Sequence, residues 1–237
     1  MTSDARPRST DRPPHPLARR SVVWLLLGSL VLVQFGYPIA EAGGAWTGIY
    51  LLLYSGIIAF SVHTAYTRPR LYWPLAALAV TMVAGGIWFV VLAEDSTAAL
   101  VAMLAGVGLL QLGLLVLLVH TLLNPPLRAN GVDLLLAGLC GFLLIGGVFG
   151  AAAALLEIAA PGSFSDPTVA VNPLPWQSLL YGSFVTLGAI GFGDVVAVSS
   201  WARSMFSFEG VVGVMFVAVV ISQLVSVAGS AKDPDDG

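Results

Sequence analysis

The stretch that decides the fold reads Thr186-Leu-Gly-Ala-Ile-Gly-Phe-Gly-Asp194. Towards its end, Gly191 and Gly193 alternate with other residues. Glycine has no Cβ and therefore adopts positive φ angles that other residues rarely take. Alternating such residues with ordinary ones turns successive backbone carbonyls to the same side. The resulting column of oxygens is an arrangement that can replace the water around a dehydrated cation.

Together with the segments on either side, this loop predicts one structural unit that consists of a short helix, the loop and a second helix. Before the loop, Trp176–Leu187 is 12 residues long. This is too short to cross a bilayer, which needs about 20 residues, but it fits a re-entrant helix. Gly188 is expected to cap that helix at its C-terminus. After the loop, a long apolar run from Trp201 to about Val227 predicts a full membrane helix.

This region resembles the pore domain of the potassium channel superfamily, whose signature runs Thr-Val-Gly-Tyr-Gly-Asp. The corresponding residues are Ala189, Ile190, Gly191, Phe192, Gly193 and Asp194. The resemblance extends over Trp176–Val227 and is to the prokaryotic two-transmembrane type of pore domain. Here four further membrane helices are expected to precede that domain.

The resemblance implies a set of ion-contacting and supporting residues. Potassium, the one metal ion implied, would bind to backbone carbonyls in the selectivity filter: Ala189, Ile190, Gly191, Phe192 and Gly193. Thr186, Asp194 and Glu209 would form the mouth and support of the filter, and Gly213 is a candidate gating hinge. Because each chain supplies one filter strand, a homotetramer is also implied.

Two residues depart from the family pattern. Ala189 stands where the family usually has threonine, so four subunits would lose four hydroxyl oxygens from the innermost ion site. Phe192 replaces tyrosine and lacks the hydroxyl that can tie the filter to its surroundings. Ala189 keeps open whether the pore selects potassium or conducts monovalent cations with weak selectivity, and Phe192 suggests inactivation by rearrangement of the filter.

The composition indicates a membrane protein, and the sequence contains none of the common catalytic motifs. Hydrophobic residues make up 57% of the sequence and charged residues 10%, against about 45–50% and about 25% in soluble domains. No metalloprotease, nucleophile-elbow or phosphate-loop motif is present. We therefore expect no enzyme activity, no cofactor and no nucleic-acid partner. Membrane lipids are the partner expected from the composition, and potassium ions are the partner that the resemblance implies.

The expected fold class is an all-α membrane protein with six transmembrane helices. A re-entrant pore helix and a selectivity filter lie between the fifth and sixth. The spans are Val22–Ala40, Trp46–Tyr66, Leu71–Ala93, Ala98–Leu123, Val132–Ala159 and Trp201–Val227. The domains are a disordered cytoplasmic tail (1–20), a four-helix membrane domain (21–129), a pore domain (130–229) and a second cytoplasmic tail (230–237).

Charge placement predicts the orientation in the membrane. With both termini in the cytoplasm, nine of the 10 Lys and Arg residues lie on the cytoplasmic side, and only Arg203 lies outside. This orientation places the filter at the outer face. The fourth span carries no Lys or Arg, so voltage should have little effect on opening. We expect a multi-pass plasma membrane protein, of a prokaryotic inner membrane.

Several residues have more than one interpretation. Glu209 could brace the back of the filter, face water near the cavity, or lie shallow enough to reach the interface with Arg203. Gly213 could be a hinge or a site of close helix packing. Glu157 is expected to face the outer vestibule or the interface, and Gln34 and Gln111 to form hydrogen bonds between helices.

The sequence thus predicts passive conduction of potassium through a tetrameric pore. The alternatives are a weakly selective monovalent cation channel and, from a different class, a non-conducting channel-like membrane subunit.

Overall fold

The computed structural model describes residues 20–36, 38, 57, 69–88, 96–123 and 131–230, which are mainly helical. In chain order the elements are α1 (Arg20–Phe35), α2 (Pro69–Ile87), α3 (Thr97–Leu123), α4 (Gly131–Ala159), β1 (Phe164–Ser165), α5 (Trp176–Leu187), β2 (Val196–Ala197) and α6 (Ser200–Ser230). The predicted span Trp46–Tyr66 lies outside the described residues except for Ile57. Residues 1–19 and 231–237 also lie outside them.

Three of the described helices are long and apolar enough to cross a membrane. These segments are Thr97–His120, Gly131–Ala159 and Ser200–Val227, and they correspond to the predicted fourth, fifth and sixth spans. The apolar parts of α1 and α2 are shorter, at Val23–Phe35 and Trp73–Gly85. The mostly helical architecture is confirmed, whereas the count of six spans stays a prediction.

Helix α4 is the centre of the packing, because it contacts α1, α3, α5 and α6. Glycines on α4 let the neighbouring helix α5 approach its backbone closely. A Cβ at Gly146 would lie 2.5 Å from Cε1 of Phe184, and one at Gly150 would lie 2.7 Å from Cδ1 of Leu180. Small residues serve this purpose between membrane helices, where close van der Waals packing drives association.

Two buried amides lie where the peripheral helices meet α4, and among the described residues Gln34 makes the predicted hydrogen bond while Oε1 of Gln111 has no partner. Gln34 of α1 donates a hydrogen bond from Nε2 to the carbonyl of Leu143, at 3.2 Å. Gln111 of α3 is 1% exposed and lies against Gly147 of α4. The interhelical hydrogen bond predicted for Gln34 is therefore confirmed. Next to it, the ring of Phe35 lies 5.2 Å from the ring of Phe184 on α5, between centroids.

The expectation that Glu157 faces the vestibule or the interface is wrong. Its side chain is fully buried at the end of α4. Oε1 accepts hydrogen bonds from the backbone N–H groups of Gly162, at 2.9 Å, and Leu174, at 3.3 Å. Oε2 accepts one from the N–H of Phe164, at 3.0 Å. The loop after α4 folds back over the carboxyl group, since its buried N–H groups require acceptors.

The loop between α4 and α5 also pairs with the segment that leads into α6. β1 and β2 are antiparallel, with Phe164 opposite Ala197 and Ser165 opposite Val196. Phe164 and Phe206 of α6 are in ring contact, with centroids 5.0 Å apart. This loop therefore fixes the end of α4 and the start of α6 relative to each other.

We expect Glu157→Gln to lower the free energy of unfolding by about 1–3 kcal/mol, because an NH2 group would face a backbone N–H that then has no acceptor. The matched control is Asp166→Asn, since Asp166 accepts only within an exposed turn, from Thr168 N–H at 2.9 Å and from its hydroxyl. Denaturant unfolding in detergent micelles measures both variants. Equal stabilities for Glu157→Gln and Asp166→Asn would contradict this account.

Candidate ion-conduction site

The loop after α5 begins with a Schellman turn. The N–H of Ala189 donates to the carbonyl of Thr186, and the N–H of Ile190 donates to that of Val185, both at 3.0 Å. These are the two bonds of this helix-ending motif, and its left-handed residue is usually glycine. Here that residue is Ala189, at φ +53°. Gly188 does cap the helix, as predicted, but its φ is an ordinary −76°.

Positive φ angles recur at every second residue along this loop. Ala189, Gly191 and Gly193 have φ values of +53°, +64° and +79°. Ile190 and Phe192, which lie between them, do not have positive φ. The unusual angles predicted at the two glycines are present, and Ala189 extends the alternation by one residue towards α5. Sequence reasoning missed this position because the left-handed conformation costs a non-glycine residue about 1–2 kcal/mol.

The C-terminal end of the loop is hydrogen-bonded to α5 through Asp194. The hydroxyl of Tyr181 donates to Asp194 Oδ2 at 2.6 Å, and the N–H of Val195 donates to Oδ1 at 2.9 Å. The hydrogen bond from Tyr181, followed by that from Val195, lowers the pKa of Asp194 below its usual value. The hydrogen bond between Tyr181 and Asp194 thus connects the loop to α5 although Phe192 has no hydroxyl. No local sequence signal pairs Tyr181 with Asp194, since the contact depends on how α5 lies beside the loop.

Glu209 lies between α6 and α5 and is fully buried. Its Oε1 is hydrogen-bonded to the hydroxyl of Ser183 on α5, and Oε2 has no hydrogen-bond partner among the described residues. Ser183 also donates to the carbonyl of Gly146 on α4, at 2.8 Å. Arg203 instead donates to the carbonyl of Ala197, at 3.2 Å, on the exposed side. The burial of Glu209 against α5 favours the first interpretation, a brace at the back of the filter, over contact with water or with Arg203, and that role stays a prediction.

Gly213 packs against the end of α5. A Cβ at this position would lie 2.5 Å from the carbonyl oxygen of Leu187, a backbone atom that cannot move aside cheaply. Helix α6 runs without a break through Gly213, from Ser200 to Ser230. This geometry favours the close-packing interpretation over the hinge. Thr186, the other predicted support residue, is half-buried in the last turn of α5, where its carbonyl accepts the bond from Ala189.

Comparison with known proteins identifies one region of the chain. Residues 137–229 match the family model described as "Ion channel". The match includes most of α4, all of α5, the loop and nearly all of α6. Neither the curated proteins nor the solved structures contain a match to this chain.

We expect Gly213→Ala to lower the free energy of unfolding by about 1–3 kcal/mol, because the new methyl group would overlap the Leu187 carbonyl. The matched control is Gly210→Ala on the same helix. Its Cβ would lie 3.9 Å from the nearest atom, the carbonyl oxygen of Thr186, so it should be neutral or gain up to about 1 kcal/mol in helix propensity. Thermal unfolding in detergent measures both. Equal stabilities, with an altered open probability for Gly213→Ala alone, would favour the hinge.

We expect Tyr181→Phe to raise the pKa of Asp194, because the largest cause of its lowering is the Tyr181 hydrogen bond. A carboxylate with a lowered pKa stabilises the folded state above its unfolded pKa, and this contribution is lost as the pH falls through the folded pKa. The variant should therefore lose the Asp194 charge at a higher pH than the wild type. A ¹³C NMR titration of the Asp194 carboxyl carbon tests this, and identical midpoints would refute it.

Proposed function

We propose that this membrane protein conducts potassium ions passively through a pore made by four chains, on the basis of the match of residues 137–229 to the ion-channel family model. The observation that carries the proposal is the alternation of positive φ angles at Ala189, Gly191 and Gly193, directly after α5. In a pore, the carbonyls of residues 189–193 would bind potassium ions that have shed their water.

The exposure of this loop supports a pore shared between chains. Residues 188–193 are all exposed in the single chain, including Phe192 at 68%. A loop that binds dehydrated ions must be enclosed, because non-helical backbone at membrane depth survives only within protein or beside a water-filled cavity. Four loops around one axis would enclose each other and complete every ion site.

Helix α6 also buries few of its side chains against the other described elements of a single chain. Within the most apolar window of each helix, 6% of residues are buried in α6, against 61% in α4. The exposed side chains of α6 are large and apolar: Phe208, Val211, Val214, Met215 and Val217. In a tetramer, the four α6 helices would face one another around the axis, while lipid would cover the peripheral helices.

The supporting residues would hold the loop in this arrangement. Asp194 would place a negative charge at the outer mouth, where it would attract cations. Glu209 and Thr186 would support the base of the loop, from α6 and from the end of α5. We further propose that residues 21–129 form a peripheral domain that senses no voltage, that both termini are cytoplasmic, and that the membrane is a prokaryotic plasma membrane.

The experiment that tests the function is cation flux into liposomes that contain only the purified protein, with potassium and sodium compared. Potassium uptake well above sodium uptake would support the proposal. Equal uptake of both ions would favour the weakly selective channel, since Ala189 removes one hydroxyl per chain from the innermost site. If a folded tetramer gave no flux of either ion, the protein would be a non-conducting subunit or a channel that lacks its stimulus.

We expect Gly191→Val to reduce potassium flux at least about tenfold, because a β-branched residue strongly disfavours positive φ. The matched control is Gly162→Val in the loop between α4 and α5. Gly162 has φ +84°, and neither glycine has an atom within 4 Å of a would-be Cβ. Both variants therefore carry the same kind of backbone strain, but only one carries it in the filter. Unchanged flux through Gly191→Val, at equal amounts of tetramer, would contradict the assignment of the filter.

A further inference from the structure

The hydroxyl group of Ser183 lies between two oxygen atoms that belong to different helices. It is 2.8 Å from the carbonyl oxygen of Gly146 on α4 and is also hydrogen-bonded to Oε1 of Glu209 on α6. A serine hydroxyl has one proton to donate, and a carbonyl oxygen can only accept. If Ser183 donates to Gly146, the proton of the second hydrogen bond must come from Glu209.

An ionised Glu209 does not account for these contacts. Ser183 would then donate to the carboxylate, and its oxygen would lie 2.8 Å from the Gly146 oxygen with no proton between them. Oε2 of Glu209 is buried and has no hydrogen-bond partner among the described residues. A buried anionic oxygen without a donor costs far more free energy than the neutral carbonyl oxygen of a carboxylic acid.

The elements packed against Glu209 supply no cation to stabilise an anion. Helix α6 contacts α3, α4, α5 and β2. The titratable residues on these elements and on α6 itself are His120, Asp133, Cys140, Glu157, Tyr181 and Arg203. None of them forms an ion pair with Glu209 in the described part of the chain. Arg203 is exposed and bonded to Ala197, while Glu157 and Tyr181 hold the loop contacts described above.

We propose that Glu209 is a protonated carboxylic acid, whose proton completes a hydrogen-bond chain from α6 through Ser183 of α5 to Gly146 of α4. Glu209 is then a positioning residue for the filter, and this role rests on the proposed function, whereas the protonation itself does not. Ser183 lies two residues before Val185, whose carbonyl accepts the N–H of Ile190. Loss of the proton breaks the chain beside the base of the filter.

The first test measures protonation directly and needs no conduction. Infrared spectra of the full-length protein in liposomes should show the C=O stretch of a protonated carboxylic acid at neutral pH. The band should disappear as the pH is raised, and it should be absent from Glu209→Gln. If the wild type and Glu209→Gln have the same carboxylic-acid bands, the proposal is wrong.

The second test is the pH profile of potassium flux. Wild-type flux should change at least about tenfold over the pH range in which the band disappears, because each of four chains loses a buried hydrogen bond. Glu209→Gln keeps an N–H donor towards Ser183, so its flux should no longer vary over that range. The acid control Asp166→Asn should keep the wild-type profile. The comparison between the wild type and Glu209→Gln decides the test.

The outcomes separate this inference from the proposed function. A protonated Glu209 in a protein that conducts no ions would support the hydrogen-bond chain and count against conduction by this protein alone. A conducting protein whose pH profile is the same with Glu209→Gln would support the channel and refute the role of the proton. Ser183→Ala removes the central hydroxyl and should abolish the pH dependence in the same way, whereas an unchanged profile would also refute that role.

Discussion

The close approach of α5 to its two neighbouring helices is the constraint on which the candidate site depends. On one side, Gly146 allows α5 to lie close enough for Ser183 to reach its carbonyl, at 2.8 Å. On the other side, Gly213 leaves no room for a Cβ beside the Leu187 carbonyl. The position of α5 is therefore fixed at the level of backbone atoms, which move less than side chains. The position of α5 sets that of the loop after Leu187, and the proposed ion sites would require carbonyl oxygens placed with the same precision.

The left-handed conformation of Ala189 gives a physical reason for one departure from the family pattern. Considered from the sequence alone, alanine at this position is only the loss of a hydroxyl from the innermost ion site. In the structure, it is also the residue at which α5 ends in a Schellman turn, with φ +53°. Threonine is β-branched and would be strained at that angle far more than alanine. Alanine at position 189 thus accounts both for the missing hydroxyl and for the Schellman turn that ends α5.

Local features of the fold could be predicted from the sequence, and contacts between distant segments could not. The predicted bounds of α5, Trp176–Leu187, are those observed, because an aromatic apolar run stands between a proline-rich loop and a glycine. The contacts of Glu157 with Leu174, and of Ser183 with Glu209, join residues 17 and 26 positions apart. Hydropathy is nearly uniform around these helices, so it indicates that a helix forms but not which face meets which neighbour.

Three acidic residues connect the helices and loops of residues 137–229, and the hydrogen-bond donors around each one determine what it can do. Glu157 accepts three backbone N–H bonds and orders the loop above α4. Asp194 is half-buried and accepts a hydrogen bond from Tyr181, which favours its charged form at the end of the loop after α5. Among the described residues, Glu209 has one hydroxyl partner, and its Oε2 has no hydrogen-bond partner. The first two are suited to a fixed structural state, since their oxygens have donors. Under our proposal Glu209 alone depends on a proton of its own, so it would be the acid through which the surroundings of the proposed filter change.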